Sequence, residues 1–181
     1  MGILNVSRAL TILWLSILVA GCVSQPVIVT HGVPHLLIAD SQNNVLRSGQ
    51  PQNAPETWQY LCSIRSITNA VKLDTEAEGS DSEAAKCGVT VQRFPIPLGQ
   101  QLFGPHDVLM HAAVNAIVPN TIVSCLNGND RTGVVIALYW LSHGMDKQSA
   151  ENLMLASGFH KAEFGLWEYW LKQNAKDWIK P

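Results

Sequence analysis

The hydrophobic pattern divides this chain into one long apolar run near its start and a series of short apolar stretches after it. Ala9 to Ala20 is almost uninterrupted, with Arg8 ahead of it. The run is too short to span a bilayer, which takes about 20 residues, and suits the core of a signal peptide. Leu36-Leu37-Ile38 and Val45-Leu46 flank the turn-rich Ser41-Gln42-Asn43-Asn44, which predicts a hairpin. Pro55 suits the first position of a helix. Ile67 to Leu73 predicts a strand and Asp74 to Gly79 an acidic loop. Ser82 can cap a short helix to Lys86, which Gly88 stops, and Val89 to Phe94 alternates as a strand. Phe94 to Pro105 is a loop rich in proline and glycine. Val108, Leu109, Ala112, Ala113, Ala116 and Ile117 then recur at helical spacing, up to Pro119-Asn120. Thr121-Ile122-Val123 reads as a short buried strand, and Thr132 to His143 as a strongly apolar helix closed by Gly144. Asp146 caps a further helix ending at Gly158. Glu163 to Ile179 predicts a final helix whose stripe of Phe164, Trp167, Trp170, Leu171 and Trp178 reads as core packing. Strands alternating with helices predict an α/β fold around a central sheet.

The apolar opening ends in Val19-Ala20-Gly21-Cys22. Small residues ahead of a cysteine resemble the bacterial lipobox. That resemblance implies a lipoprotein signal peptide over residues 1–21, acylation of Cys22, a tether over 22–35 and one domain over 36–181. The alternative is an uncleaved anchor, since no charge falls between Arg8 and His31, although Ser24, Gln25 and Pro26 interrupt the stretch. Val23 rather than Asp after the cysteine favours the outer membrane. The expected location is the cell envelope, on the periplasmic face, held at the membrane by two or three acyl chains. Composition narrows the rest. A length of 181 residues suits one folded domain. Lys plus Arg total 12 against 14 Asp plus Glu, a net charge of −2, so nothing favours nucleic acid as a partner. With 47% hydrophobic and 14% charged residues, the chain is not disordered.

Chemistry concentrates in residues 121–133, Thr-Ile-Val-Ser-Cys-Leu-Asn-Gly-Asn-Asp-Arg-Thr-Gly. Cys125 leaves a buried strand, and Arg131 enters a helix after a short loop. Such a loop can curl so that its backbone N–H groups converge, and the following helix adds free N–H groups and its positive dipole end. The product is a nest for a tetrahedral dianion. Cys125 at its floor would be favoured as thiolate by the same groups and by Arg131. Gly128 permits positive φ, Arg131 can grip two phosphate oxygens, and the Thr132 hydroxyl can donate to the sulfur. Leu126, Asn127, Gly128, Asn129 and Thr132 are thus the expected substrate-binding residues.

Cys125-Leu126-Asn127-Gly128-Asn129-Asp130-Arg131-Thr132-Gly133 resembles the signature of the Cys-x5-Arg phosphatase superfamily, in its bacterial tyrosine-phosphatase-like, dual-specificity branch. Leu46-Arg47-Ser48-Gly49-Gln50-Pro51 is similar to the branch's early Arg-Ser-x-Gln-Pro segment. Thr68 to Leu73 and Gly88 to Val91 are similar to its second and third strands. The resemblance covers roughly residues 36–160. It implies a dual-specificity-phosphatase-like α/β fold, with a mostly parallel central sheet flanked by helices and the phosphate loop between a strand and a helix. It also implies hydrolysis of phosphate monoesters through a cysteinyl-phosphate, with no metal and no cofactor. Cys125 would attack phosphorus, and Arg131 and the loop amides would stabilise the transition state.

Two departures from that pattern stand out. Ser124 occupies the position where the family usually has His. No carboxylate lies between Ala84 and His106, where the family carries its general acid. Asp107 and Asp130 are the two candidates for the acid, and the third possibility is that neither serves. Because loss of a general acid typically costs 10²–10⁴-fold, a weak enzyme remains compatible with the motif. No Lys lies in the loop, which argues for a single phosphate monoester, such as phosphotyrosine in a protein, over polyphosphorylated lipids. The alternative reading is a phosphate-binding pseudophosphatase that recognises a phosphorylated partner. A rhodanese-like sulfur transferase and an arsenate reductase are disfavoured by Asp130-Arg131-Thr132-Gly133. His106 and His111 read as helix decoration rather than metal ligands. Cys62 and Cys87 fall at predicted helix ends, and an exported chain permits a bridge between them without requiring one.

Overall fold

The computed structural model describes residues 29–74, 81–98 and 106–179. The signal peptide, Cys22, most of the acidic loop and the helix-opening Pro105 lie outside them. Among the described residues no helix is long and apolar enough to cross a membrane.

The first elements are β1 (Val29–Thr30) and β2 (Val33–Pro34), an antiparallel pair. They occupy the end of the expected tether, but Val33 is fully buried, so this stretch packs onto the domain. Next come β3 (Leu37–Asp40) and β4 (Val45–Gly49), the predicted hairpin. Helix α1 (Pro55–Gln59) starts on its proline and widens into a π-helical turn over Tyr60–Ile64. β5 (Asn69–Lys72), α2 (Ser82–Lys86) and β6 (Thr90–Arg93) follow. Asp81, not the expected Ser82, precedes the first turn of α2. Its carboxylate is engaged instead by Lys72 and by Arg93 at 2.6 Å. α3 (His106–Asn115), β7 (Thr121–Cys125), α4 (Asp130–Ser142) and α5 (Lys147–Ala156) complete the central part, with Asp146 accepting from the Ser149 N–H as the predicted cap.

The main sheet has the order β3-β4-β7-β5-β6; β3 is antiparallel and the other four strands are parallel. β7 sits at the centre with all five residues buried, as an apolar run covered on both faces must be. Edge strand β6 is largely exposed. Two cores flank the sheet. On one face Val71, Leu73, Val123 and Cys125 meet α4, whose residues from Arg131 to Leu141 are all buried. On the other face Leu46, Ala70 and Ile122 meet Trp58 and Leu61. A helix buried all round is apolar all round, which is the pattern read from the sequence.

The final helix departs from expectation. α6 spans Phe164–Lys172, and Gln173 turns extended at φ −72°, ψ 139°. Lys147 Nζ donates to the carbonyls of Leu171 (2.9 Å) and Gln173 (2.6 Å), satisfying the helix end. Trp178 then packs back, stacked on His111 with ring centroids 4.0 Å apart, so its burial against α3 replaces continuation of the helix. Of the aromatic stripe, Trp170 and Trp178 are core residues, whereas Phe164 is exposed.

Candidate active site

Parallel strands end together at one edge of the sheet, and ligands of open α/β sheets bind at that edge. Here Gly49 of β4 lies beside Cys125 of β7, and the Leu73 N–H donates to the Ser124 carbonyl at 2.8 Å. Cys125 is 3% exposed and is the one free cysteine among the described residues. The loop after it runs over the end of β4. Leu126 O accepts from the Gln50 N–H at 3.1 Å, and the Gly128 N–H points at Cys125 Sγ at 3.3 Å.

Gly128 is required by both conformation and space. Its φ is +80°, and a Cβ there would lie 2.4 Å from Gly49 N and from the Ser48 carbonyl carbon. The loop therefore lies flat on β4, which turns its amides over Cys125. Arg131 is buried in the first turn of α4, with Nη1 3.4 Å from the Ile96 carbonyl. Leu126 and Asn127 face solvent, and Leu126 is 45% exposed. Asn129 Oδ1 is 2.9 Å from His35 Nδ1. The Thr132 hydroxyl is fully buried and forms no bond to the sulfur, contrary to the sequence expectation; the Gly128 amide supplies that contact. The structure thus brings together Cys125, Leu126, Asn127, Gly128, Asn129, Asp130, Arg131 and Thr132 on one strand–loop–helix.

The two candidate acids are both engaged. Asp130 accepts from the His160 N–H at 2.8 Å and from its ring at 3.1 Å, fixing the turn after α5 against the loop. Asp107 accepts from the Tyr169 hydroxyl at 2.5 Å and lies 3.8 Å from His111 Nε2. Burial, then the bond to Asp107 and its charge, push the Tyr169 hydroxyl well above its ordinary range. Among the described residues no group of three His, Cys, Asp or Glu side chains converges as metal ligands would.

Three residues near the loop were not read as site residues from the sequence. His35 and His160 carry no local signal, since only the fold brings them to Asn129 and Asp130. Arg47 had one: it directly follows Val45-Leu46 and opens the Arg47-Ser48-Gly49-Gln50-Pro51 segment. It is 1% exposed and donates from Nη2 to the Gly128 carbonyl at 2.7 Å, with a longer 3.4 Å contact to the Asn129 carbonyl. Burial draws its pKa down to about 10, against the opposing pull of Cys125 and Asp130. The bridge left open by the sequence is formed, joining Cys62 in the π turn to Cys87 after α2.

No family model matches the chain, and no curated protein sequence matches it significantly. Solved structures do match. The core catalytic domain of the PP-IP phosphatase SIW14 from S. cerevisiae, in complex with citrate, aligns at TM-score 0.61 and 14% identity over 79% of this chain and 89% of that one. P. aeruginosa TpbA aligns at TM-score 0.58 and 18% identity, over 81% and 88%. PTPMT1 in complex with PI(5)P aligns at TM-score 0.57 and 15% identity, over 76% and 95%. The fold is therefore the dual-specificity-phosphatase-like α/β fold, with a mostly parallel sheet flanked by helices.

Proposed function

We propose that the protein hydrolyses phosphate monoesters through a cysteinyl-phosphate intermediate and that its substrate is a phosphorylated protein, with phosphotyrosine the favoured group. The observation that carries this is the buried Cys125 under a loop whose Gly128 amide already points at its sulfur. Cys125 attacks phosphorus as thiolate. Arg131 and the amides of residues 126–130 stabilise the equatorial oxygens, and the leaving oxygen departs opposite the sulfur. Water then attacks the phosphocysteine, releasing phosphate and the thiolate. Asp130 and Asp107 are the candidates for the proton to the leaving group, and Asp130 is the one at the start of α4, next to Arg131. Leu126, exposed in the loop, offers an apolar contact to an aryl ester. TpbA has been solved with pTyr, in a match at TM-score 0.58 and 17% identity, which supports the same choice.

The test is turnover of p-nitrophenyl phosphate and a phosphotyrosine peptide, with Cys125→Ser as control. Turnover abolished by the substitution supports the reading. Absence of turnover with retained phosphopeptide binding favours a pseudophosphatase, a reading motivated by Ser124, whose buried hydroxyl has no hydrogen-bond partner. We further propose that Cys22 is acylated, holding the domain at the membrane on the periplasmic face. Membrane attachment unchanged in Cys22→Ala would refute this.

A further inference from the structure

We propose that Arg47 is the positioning residue of the phosphate loop: it clamps the Gly128–Asn129 peptide from below, so that its N–H faces the anion, and it sets a fixed positive charge beneath Cys125. The inference rests on the phosphatase reading and deepens it.

The argument begins with the peptide plane. In a trans peptide the carbonyl of one residue and the N–H of the next point in opposite directions, and no cis bond occurs in the described chain. Arg47 reaches up from β4 and takes the Gly128 carbonyl at 2.7 Å. The Asn129 N–H in the same unit is therefore turned away from β4, toward the open side of the loop. The Asn129 carbonyl, 3.4 Å from the same nitrogen, also accepts from the Gly133 N–H at 2.9 Å, so one side chain fixes both loop and helix start.

The second strand of the argument is charge. A guanidinium 1% exposed is costly unless compensated. Arg47 Nε and Nη1 have no hydrogen-bond partner, and no carboxylate forms an ion pair with it among the described residues. Its charge acts on Cys125 and Asp130, Cys125 lying two residues beyond Val123, the register partner of Arg47 in β7. The other ionisable groups of the loop and its neighbours are Arg131 and Asp130 on α4, His160 on Asp130, His35 on Asn129, and Lys72 and Asp74 at the end of β5. With Ser124 in the position before the nucleophile, no imidazole stands there; Arg47 is the buried cation on β4 beside it, while Lys72, buried on β5, is paired with Asp81.

The experiment uses the full chain with Arg47→Met and Arg47→Lys. The rate of iodoacetamide alkylation at neutral pH is followed on the Cys125 peptide by mass spectrometry. Affinity for inorganic phosphate is measured in the Cys125→Ser background, where turnover plays no part. Arg47→Met should slow alkylation of Cys125 and weaken phosphate binding, each about tenfold. Arg47→Lys keeps the charge, but its side chain ends one bond short of Nη2, and it should weaken phosphate binding alone. A folded Arg47→Met with wild-type alkylation rate or wild-type phosphate affinity overturns the proposal. If Arg47→Met does not fold, Arg47→Lys decides: reduced phosphate affinity supports the clamp, and unchanged affinity refutes it. Loss of turnover in Cys125→Ser with no effect of Arg47 on either readout would sink the proposal and leave the phosphatase reading standing.

Discussion

Replacing both Cys62 and Cys87 by Ser should cost about 3.5 kcal/mol of stability. The bridge spans a sequence separation of 25 residues. Loop-closure entropy for that length is about 12 cal/mol/K, which at 298 K is about 3.5 kcal/mol removed from the unfolded state by the cross-link. Both cysteines are only half-buried, so serine adds little cavity cost of its own. For a domain of this size the change corresponds to roughly 10 °C in Tm. Guanidinium unfolding of the oxidised wild type against the double variant reads it directly. The slope m should rise in the variant, because its unfolded state is less compact. The double variant is the comparison, because it removes the cross-link permanently and leaves the solvent conditions unchanged. A loss below about 1 kcal/mol with an unchanged slope would refute the reasoning.

Other outcomes follow from the same geometry. Gly128→Ala should abolish phosphatase turnover, because a Cβ 2.4 Å from Gly49 N forces the loop off β4; steady-state assay with p-nitrophenyl phosphate checks it. Asp81→Ala leaves the Lys72 ammonium buried without its carboxylate and should cost about 3 kcal/mol in denaturant unfolding. Tyr139 is raised to about 12 by burial and by its bond to Asp40, so its contribution is full below pH 10 and fades as pH rises toward 12. Alkaline unfolding followed by circular dichroism should therefore lose that step in Tyr139→Phe. If Asp130 is the proton donor, Asp130→Asn should lose 10²–10⁴-fold with an alkyl phosphate and far less with p-nitrophenyl phosphate, whose leaving group needs no proton. Equal losses on both substrates would exclude that role.

The parts of the molecule legible in the sequence were those with local rules. The apolar helix from Thr132, the buried strand ending at Cys125 and the Asp146 cap all follow from spacing and side-chain type. The loop was legible because Gly128 and Arg131 stand at fixed distances from one cysteine. What failed was set by tertiary partners. Nothing near Gln173 announces that α6 ends there; the cause is Lys147, on another helix, and Trp178 seeking His111. The tether concealed Val33 because a lone valine between Gly32 and Pro34 has no periodicity to reveal its burial. Asp107 and Asp130 looked equivalent until Tyr169 and His160 were seen to hold them.

The small hairpin at the start of the described chain bears on how catalysis would be delivered. Gly32 takes φ +75° in its turn, the Gln52 N–H donates to the Gly32 carbonyl at 3.0 Å, and His35 just beyond reaches Asn129 of the loop. The chain thus enters the domain beside the phosphate loop. Six residues lie between Cys22 and Val29, seven residue steps with a reach of about 25 Å at full extension. With Cys22 acylated, the reaction centre would be leashed within a thin layer above the bilayer. Targets confined to that layer would be met at high effective concentration, and those in the open compartment would be met seldom, so that selectivity is set by distance from the membrane as well as by fit.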